Sequence, residues 1–160
     1  YLNINQGTDA NGVYTGTDTG GHYQYVWVNG GNNNITTQQE STGTQGQFGV
    51  IAVTGSSNTV QETQTGSAQH QAFINVNGSY NSVTTSQSGT TSNYLSIGTT
   101  GNNNSATVSQ TNGGNNANIT LINAGSPASV NLTQTGGQSY GITQTCYTAA
   151  CGTITLRQGN

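Results

Sequence analysis

The stretch GSYNSVTTSQSG, residues 78–89, decides the fold because the chain writes it several times. It returns as GSSNTVQETQTG at 55–66, GNNNSATVSQTN at 101–112 and GSPASVNLTQTG at 125–136, and in worn form as GGNNNITTQQES from Gly30. Aligned from the first apolar residue to the glutamine, the copies occupy 35–39, 60–64, 83–87, 106–110, 130–134 and 154–158, at steps of 25, 23, 23, 24 and 24 residues. A period of this size signals a solenoid. Within each copy every second residue falls on one face: Val60, Glu62, Gln64; Val83, Thr85, Gln87; Ala106, Val108, Gln110; Val130, Leu132, Gln134; Ile154, Leu156, Gln158. A period of two is that of a β-strand.

A second alternating strand precedes each repeated glycine. Its expected inward members are Val26 and Val28; Gly49, Ile51 and Val53; Ala72, Ile74 and Val76; Leu95, Ile97 and Thr99; Ile119, Leu121 and Asn123. The turn between the strands is Gly-x-x-Asn, as in Gly55/Asn58, Gly78/Asn81 and Gly101/Asn104, two residue types that tolerate left-handed backbone. Each unit is thus one two-stranded coil, and the expectation is an all-β solenoid of about six such coils with cross-β stacking. Like residues then lie above one another at about 4.8 Å. Gln39, Gln64, Gln87, Gln110, Gln134 and Gln158 would form a ladder of amides, each donating to one neighbour and accepting from the other.

The composition fits that architecture and excludes others. Of 160 residues only 29% are hydrophobic and 3% charged, too few apolar groups for a conventional core. Disordered chains of similar hydrophobicity are rich in charge and proline, whereas this one has a single Pro. One Arg, no Lys and a net charge of −3 leave no footprint for nucleic acid or anionic lipid. No apolar run approaches the roughly 20 residues that span a bilayer, and no signal-peptide pattern opens the sequence, as expected of a mature exported form. Cys146 and Cys151 have the spacing of a small disulfide-closed turn, with a free or metal-binding pair as the alternative, and a disulfide favours an oxidising, extracellular setting.

The phrase Gly-x-x-Asn-x-(Val/Ala)-x-x-x-Gln-x-Gly resembles the curlin repeat, the motif of the major subunit of bacterial curli fibres. The match is full at Gly55, Asn58, Val60, Gln64, Gly66 and at Gly78, Asn81, Val83, Gln87, Gly89. It is partial at Gly101, Asn104, Ala106 and Gln110, where Asn112 replaces the last glycine, and at Gly125, Val130, Gln134 and Gly136, where Ala128 replaces asparagine. The resemblance covers about 24–160 and implies a secreted functional amyloid of a biofilm matrix or cell-surface fibre. Two departures stand out. Val53, Val76, Thr99 and Asn123 occupy the place of the family's second glutamine, and a cysteine-closed turn replaces Gly-x-x-Asn in the last coil.

Leu2, Ile4 and Gln6 repeat the spacing of Ile154, Leu156 and Gln158, so both ends carry the same half-coil. Solenoids normally need polar caps, and an uncapped edge is a template for another chain. These six residues are the expected polymerisation interface of a head-to-tail homopolymer, with a nucleator or surface anchor as a further partner. Residues 1–23 divide into the strand at 2–6 and a linker, and 24–160 form the repeats. The linker would let residues 2–6 add a strand to an adjacent subunit; the alternative is that they complete their own.

No catalytic set, metal site or cofactor is expected. His22 and His70 are distant in the pattern, and Asp9, Asp18, Glu40 and Glu62 form no close pair, so no nucleophile, base and orienter assemble. These residues are expected on the surface or in loops, save Glu62, which the alternation turns inward to a coil rim or a protonated state, and Arg157 is expected to point outward. Two other functions fit the pattern. Outward Thr63/Thr65, Ser86/Ser88, Ser109/Thr111 and Thr133/Thr135 form a Thr-x-Thr-like array resembling that of insect-type antifreeze proteins. Aromatics such as Tyr23, Tyr25, Trp27, Tyr80 and Tyr94 would serve an adhesin that stacks on sugars. Sequons at Asn34, Asn77, Asn103, Asn118 and Asn131 permit glycosylation without arguing for it.

Overall fold

The computed structural model describes residues 1–7, 20–147 and 151–159. Among these the chain forms thirteen strands and no helix, numbered in chain order: β1 (Leu2–Gln6), β2 (Tyr23–Asn29), β3 (Asn34–Ser41), β4 (Phe48–Thr54), β5 (Thr59–Gly66), β6 (Gln71–Asn77), β7 (Ser82–Gly89), β8 (Tyr94–Thr100), β9 (Ser105–Thr111), β10 (Asn116–Asn123), β11 (Ser129–Thr135), β12 (Ser139–Cys146) and β13 (Thr153–Gln158). Odd-numbered strands build a seven-stranded sheet and even-numbered strands a six-stranded one. Every pairing is parallel, so the protein is a β-solenoid whose coils are each a strand from either sheet. The linker expected at 7–23 falls mostly outside the described residues, as do Asp9 and Asp18.

The alternation in sequence becomes the division between inside and outside. Val60 pairs with Val83, Val83 with Ala106 and Ala106 with Val130, and all four are buried. Across the interior, Ile51, Ile74, Ile97 and Ile119 stack in the same way. The core is therefore a layer one side chain deep from each sheet, too thin for a conventional domain and closed here by ladders.

The fifth coil departs from the expected register. Leu95, Ile97 and Thr99 lie beside Ala117, Ile119 and Leu121, so the inward set includes Ala117, and Asn123 falls beyond it, partly exposed at the corner. The turn after β10 is longer and the one before it shorter than in the neighbouring coils. Counting back from Gly125 therefore misplaces the strand by one inward position. Val28 keeps register with Val53 yet is exposed, because β2 is the outermost strand of its sheet.

The turns use glycine for close approach as well as for its dihedrals. Gly55 and Gly78 have φ of +120° and +130°, and a Cβ on either would stand 1.9 Å from the carbonyl oxygen of the glycine one coil on. The other left-handed residue is not the asparagine of the motif. It is the residue before it: Ser57, Tyr80 and Asn103, with φ of 58°, 58° and 60°. Asn58, Asn81 and Asn104 instead turn inward and are buried, for a reason that lies in their hydrogen bonds.

Candidate functional site: three ladders and two ends

Seven glutamines form a continuous chain of amides inside the odd-numbered sheet. Gln6 Nε2 donates to Gln39 Oε1 at 2.8 Å, and the same bond recurs from Gln39 to Gln64, Gln64 to Gln87 and Gln87 to Gln110, each at 2.9 Å. It continues from Gln110 to Gln134 at 3.0 Å and from Gln134 to Gln158 at 3.2 Å. In the interior each Nε2 also donates to a backbone carbonyl of the opposite sheet, those of Tyr23, Phe48, Gln71, Tyr94 and Asn116. Both amide hydrogens are thus used, which is how an uncharged polar column tolerates complete burial. The ladder has a direction. Its acceptor end is Gln6 and its donor end Gln158.

The asparagine of each turn forms a second ladder. Asn58, Asn81, Asn104 and Ala128 each give their backbone N–H to the Oδ1 of the asparagine one coil before, Asn33, Asn58, Asn81 and Asn104, at 2.9–3.0 Å. Ala128 still donates through its backbone but returns no side-chain acceptor, so the column ends there. The opposite corner holds a third ladder of mixed chemistry. Gln47 N–H donates to His22 Nδ1, His70 N–H to Gln47 Oε1, Asn93 N–H to His70 Nδ1, Asn115 N–H to Asn93 Oδ1 and Gln138 N–H to Asn115 Oδ1. Sequence reading misses this column because three residue types fill it. The common property is an acceptor atom at one place, not an identity.

His70 is consequently fully buried, not a surface residue. Burial holds its pKa below the ordinary 6.5, against hydrogen bonds to the carbonyls of Thr65 and Gly89 that favour the charged form. Glu62 is likewise buried, 1% exposed, and not at a rim. Arg157 is exposed on the outer face and Glu40 half-buried.

At one end β1 is the outermost strand, paired with β3 of its own chain through Leu2 to Ile35, Ile4 to Thr37 and Gln6 to Gln39. Leu2 and Ile4 remain 52% and 41% exposed, and a depression of about 230 Å³ opens there, lined by residues that include Leu2, Val28, Gly30 and Ile35. At the other end β13 pairs with β11 through Ile154, Leu156 and Gln158, and Ile154 is exposed. The Cys146–Cys151 disulfide joins the end of β12 to the segment just before β13, across a Cα separation of 5.7 Å.

The outer faces of the two sheets differ. The odd-numbered sheet sets Thr63, Ser86, Ser109 and Thr133 in one row and Thr65, Ser88, Thr111 and Thr135 in the next. The even-numbered sheet carries rings in slipped contact, Tyr23 on Phe48 at 4.9 Å, Phe48 on Phe73 at 5.6 Å and Phe73 on Tyr94 at 5.7 Å. Tyr25 and Trp27 lie exposed beside them, and Tyr80 is exposed at a turn. Comparison with family models, curated proteins and solved structures returned no match to the chain.

Proposed function

We propose that this protein is a non-enzymatic structural subunit of an extracellular filament, polymerising head to tail through the two ends of the solenoid. The direction of the glutamine ladder carries the reading. A second copy whose Gln6 accepts from Gln158 Nε2 continues the ladder unchanged, and β1 then extends the parallel sheet beyond β13. The reverse stacking brings acceptor to acceptor or donor to donor. Such a contact is heterologous and does not close, so it generates a filament rather than a ring. The resemblance to curlin repeats supports the same reading. A disulfide supports an oxidising, extracellular setting.

Electron cryo-microscopy of the purified chain after incubation in neutral buffer tests the proposal. Unbranched filaments with a subunit rise of roughly 34 Å, the seven strands of the odd-numbered sheet at about 4.8 Å each, are expected, and persistent single particles would overturn it. Deleting residues 1–7 distinguishes strand donation to the adjacent subunit from simple stacking: donation predicts that normal filaments are lost. Ice binding is a second reading, favoured by the registered hydroxyl rows, and thermal hysteresis of the monomer would be its signature. Serines at 86, 88 and 109, three of the eight positions, weaken it, because they lack the methyl group.

A further inference from the structure

Gln24, Gly49 and Glu62 meet inside the first two coils. Gln24 Nε2 donates to Glu62 Oε2 at 2.8 Å. The other oxygen of each group, Gln24 Oε1 and Glu62 Oε1, is buried and has no hydrogen-bond partner. Both oxygens crowd the same place, since a Cβ on Gly49 would lie 2.0 Å from Gln24 Oε1 and 2.8 Å from Glu62 Oε1. Gly49 lies within extended β4, so what the position requires is the missing side chain, not a special backbone. Two buried acceptors facing one another cost free energy unless a proton stands between them.

We infer that Glu62 is a neutral carboxylic acid forming a two-point pair with the Gln24 amide, and that this pair is a proton-dependent latch closing the first coil onto the second. The acid O–H at Oε1 donates to Gln24 Oε1 while the amide N–H donates to Oε2, and both orphaned oxygens are satisfied. The latch crosses the core from β5 to β2, whose only strand neighbour among the described residues is β4. Among the described residues no other titratable side chain faces it. The inward neighbours are Thr37 on β3, Thr85 on β7, Ala72 on β6 and Ile51 on β4, while Tyr23 and Tyr25 of β2 and Glu40 of β3 occupy outward positions.

Burial raises the Glu62 pKa from 4.5 to about 8, and the hydrogen bond from Gln24 lowers it only in part. The folded chain therefore keeps the proton to about pH 8, whereas the unfolded chain gives it up near 4.5. The group stabilises the fold fully below the lower value, and its contribution is lost as pH rises through the higher one. Ionisation then leaves a charge against the Gln24 oxygen, and the first coil opens.

The test compares wild type with E62Q, in which the new amide would reproduce both hydrogen bonds without a titrating proton. Amide hydrogen exchange is followed by mass spectrometry on monomer at pH 6 and pH 9, so its outcome is independent of filament formation. At pH 6, above the unfolded value of 4.5, wild type should already exchange in β1 and β2 about thirtyfold faster than E62Q. At pH 9, past the folded value, the excess should have grown about a further hundredfold, with β11 and β13 alike in both. Equal protection of β1 and β2 in the two proteins at pH 9 would overturn the latch. Should E62Q fail to fold, infrared spectroscopy of wild type decides: a protonated-carboxyl band at pH 6.5 that vanishes by pH 9.5 is expected, and its absence at pH 6.5 overturns the inference.

Discussion

The two ends of the solenoid share a backbone but not an interior. In the middle inward column of the odd-numbered sheet the residues run Thr37, Glu62, Thr85, Val108, Leu132, Leu156 in successive coils. Facing them, the even-numbered sheet runs Gln24, Gly49, Ala72, Leu95, Ala117. The first two coils are thus filled with an amide, an acid and a hydroxyl, and the later ones with branched aliphatics and a disulfide. Backbone pairing and glutamine ladder are the same throughout. The fold therefore tolerates either filling, and the difference sets where it opens and what opens it. In a stack of coils bound only to their neighbours, local stability follows local contents.

The comparison breaks most severely where the aliphatic half is hollowed out. Leu132→Ala, at a fully buried position, should cost about 3 kcal/mol. Thr85→Ala, two coils away in the same column, removes only a methyl and a hydroxyl and should cost about 1 kcal/mol. Urea unfolding followed by circular dichroism measures both, and equal costs would mean that the two halves do not differ in packing. Next in size is the staple. The Cys146–Cys151 bridge closes a loop with a sequence separation of 5, for which loop entropy gives about 2 kcal/mol. The double serine variant should lose that amount, and its hydrogen exchange should rise in β12 and β13 while β2 is unchanged.

How much of this was legible in the sequence follows from what repeats. Glutamine at 39, 64, 87, 110, 134 and 158 recurs by identity because its amide donates to and accepts from its own copy with a hydrogen to spare for the opposite sheet, so strands, faces and the order of the column can be read directly. The corner of Gln47, His70, Asn93 and Asn115 recurs only as an acceptor atom, and no single letter marks it. Asn58 is visible as a turn residue, but not its inward aim, because the same letter serves a left-handed turn and a buried ladder. The slip in β10 escapes because two loop-length changes of opposite sign nearly cancel: the period stays normal while the strand moves between its landmarks. Glu62 is legible as inward, but the pair with Gln24 is not, since the partners lie 38 residues apart on different sheets and meet only where Gly49 leaves room.

The two buried titrating groups should pull in opposite directions, which sharpens the contrast between core and corner. His70 Nδ1 accepts the Asn93 N–H, so a proton there breaks the corner ladder. With the folded pKa below 6.5, the unfolded chain takes up the proton first as pH falls. The contribution is complete above 6.5 and is lost as pH drops through the folded value. H70N restores an acceptor of the kind that Asn93 and Asn115 supply, without titration. In an E62Q background, which removes the opposing alkaline trend, H70N should flatten the decline in urea midpoint between pH 7 and pH 5, with about 1 kcal/mol at stake in one buried hydrogen bond. An unchanged decline would mean that another group carries it.

The smallest change is expected to be a gain. Thr37 lies fully buried beside Glu62 in the polar half, and its Oγ1 has no hydrogen-bond partner. Thr37→Val keeps the branched shape that suits a strand and removes the unsatisfied hydroxyl, so it should stabilise by about 1 kcal/mol. Thr85 is the control one coil beyond Glu62. Its Oγ1 contacts the carbonyl of Gln61 at 3.4 Å, so Thr85→Val loses that bond along with the hydroxyl and should come out near neutral. A gain at 37 without one at 85 would place the weakness of the first coils in particular uncompensated atoms. Equal gains would instead show that the polar half is limited by how little apolar surface it buries, and that any added methyl group helps.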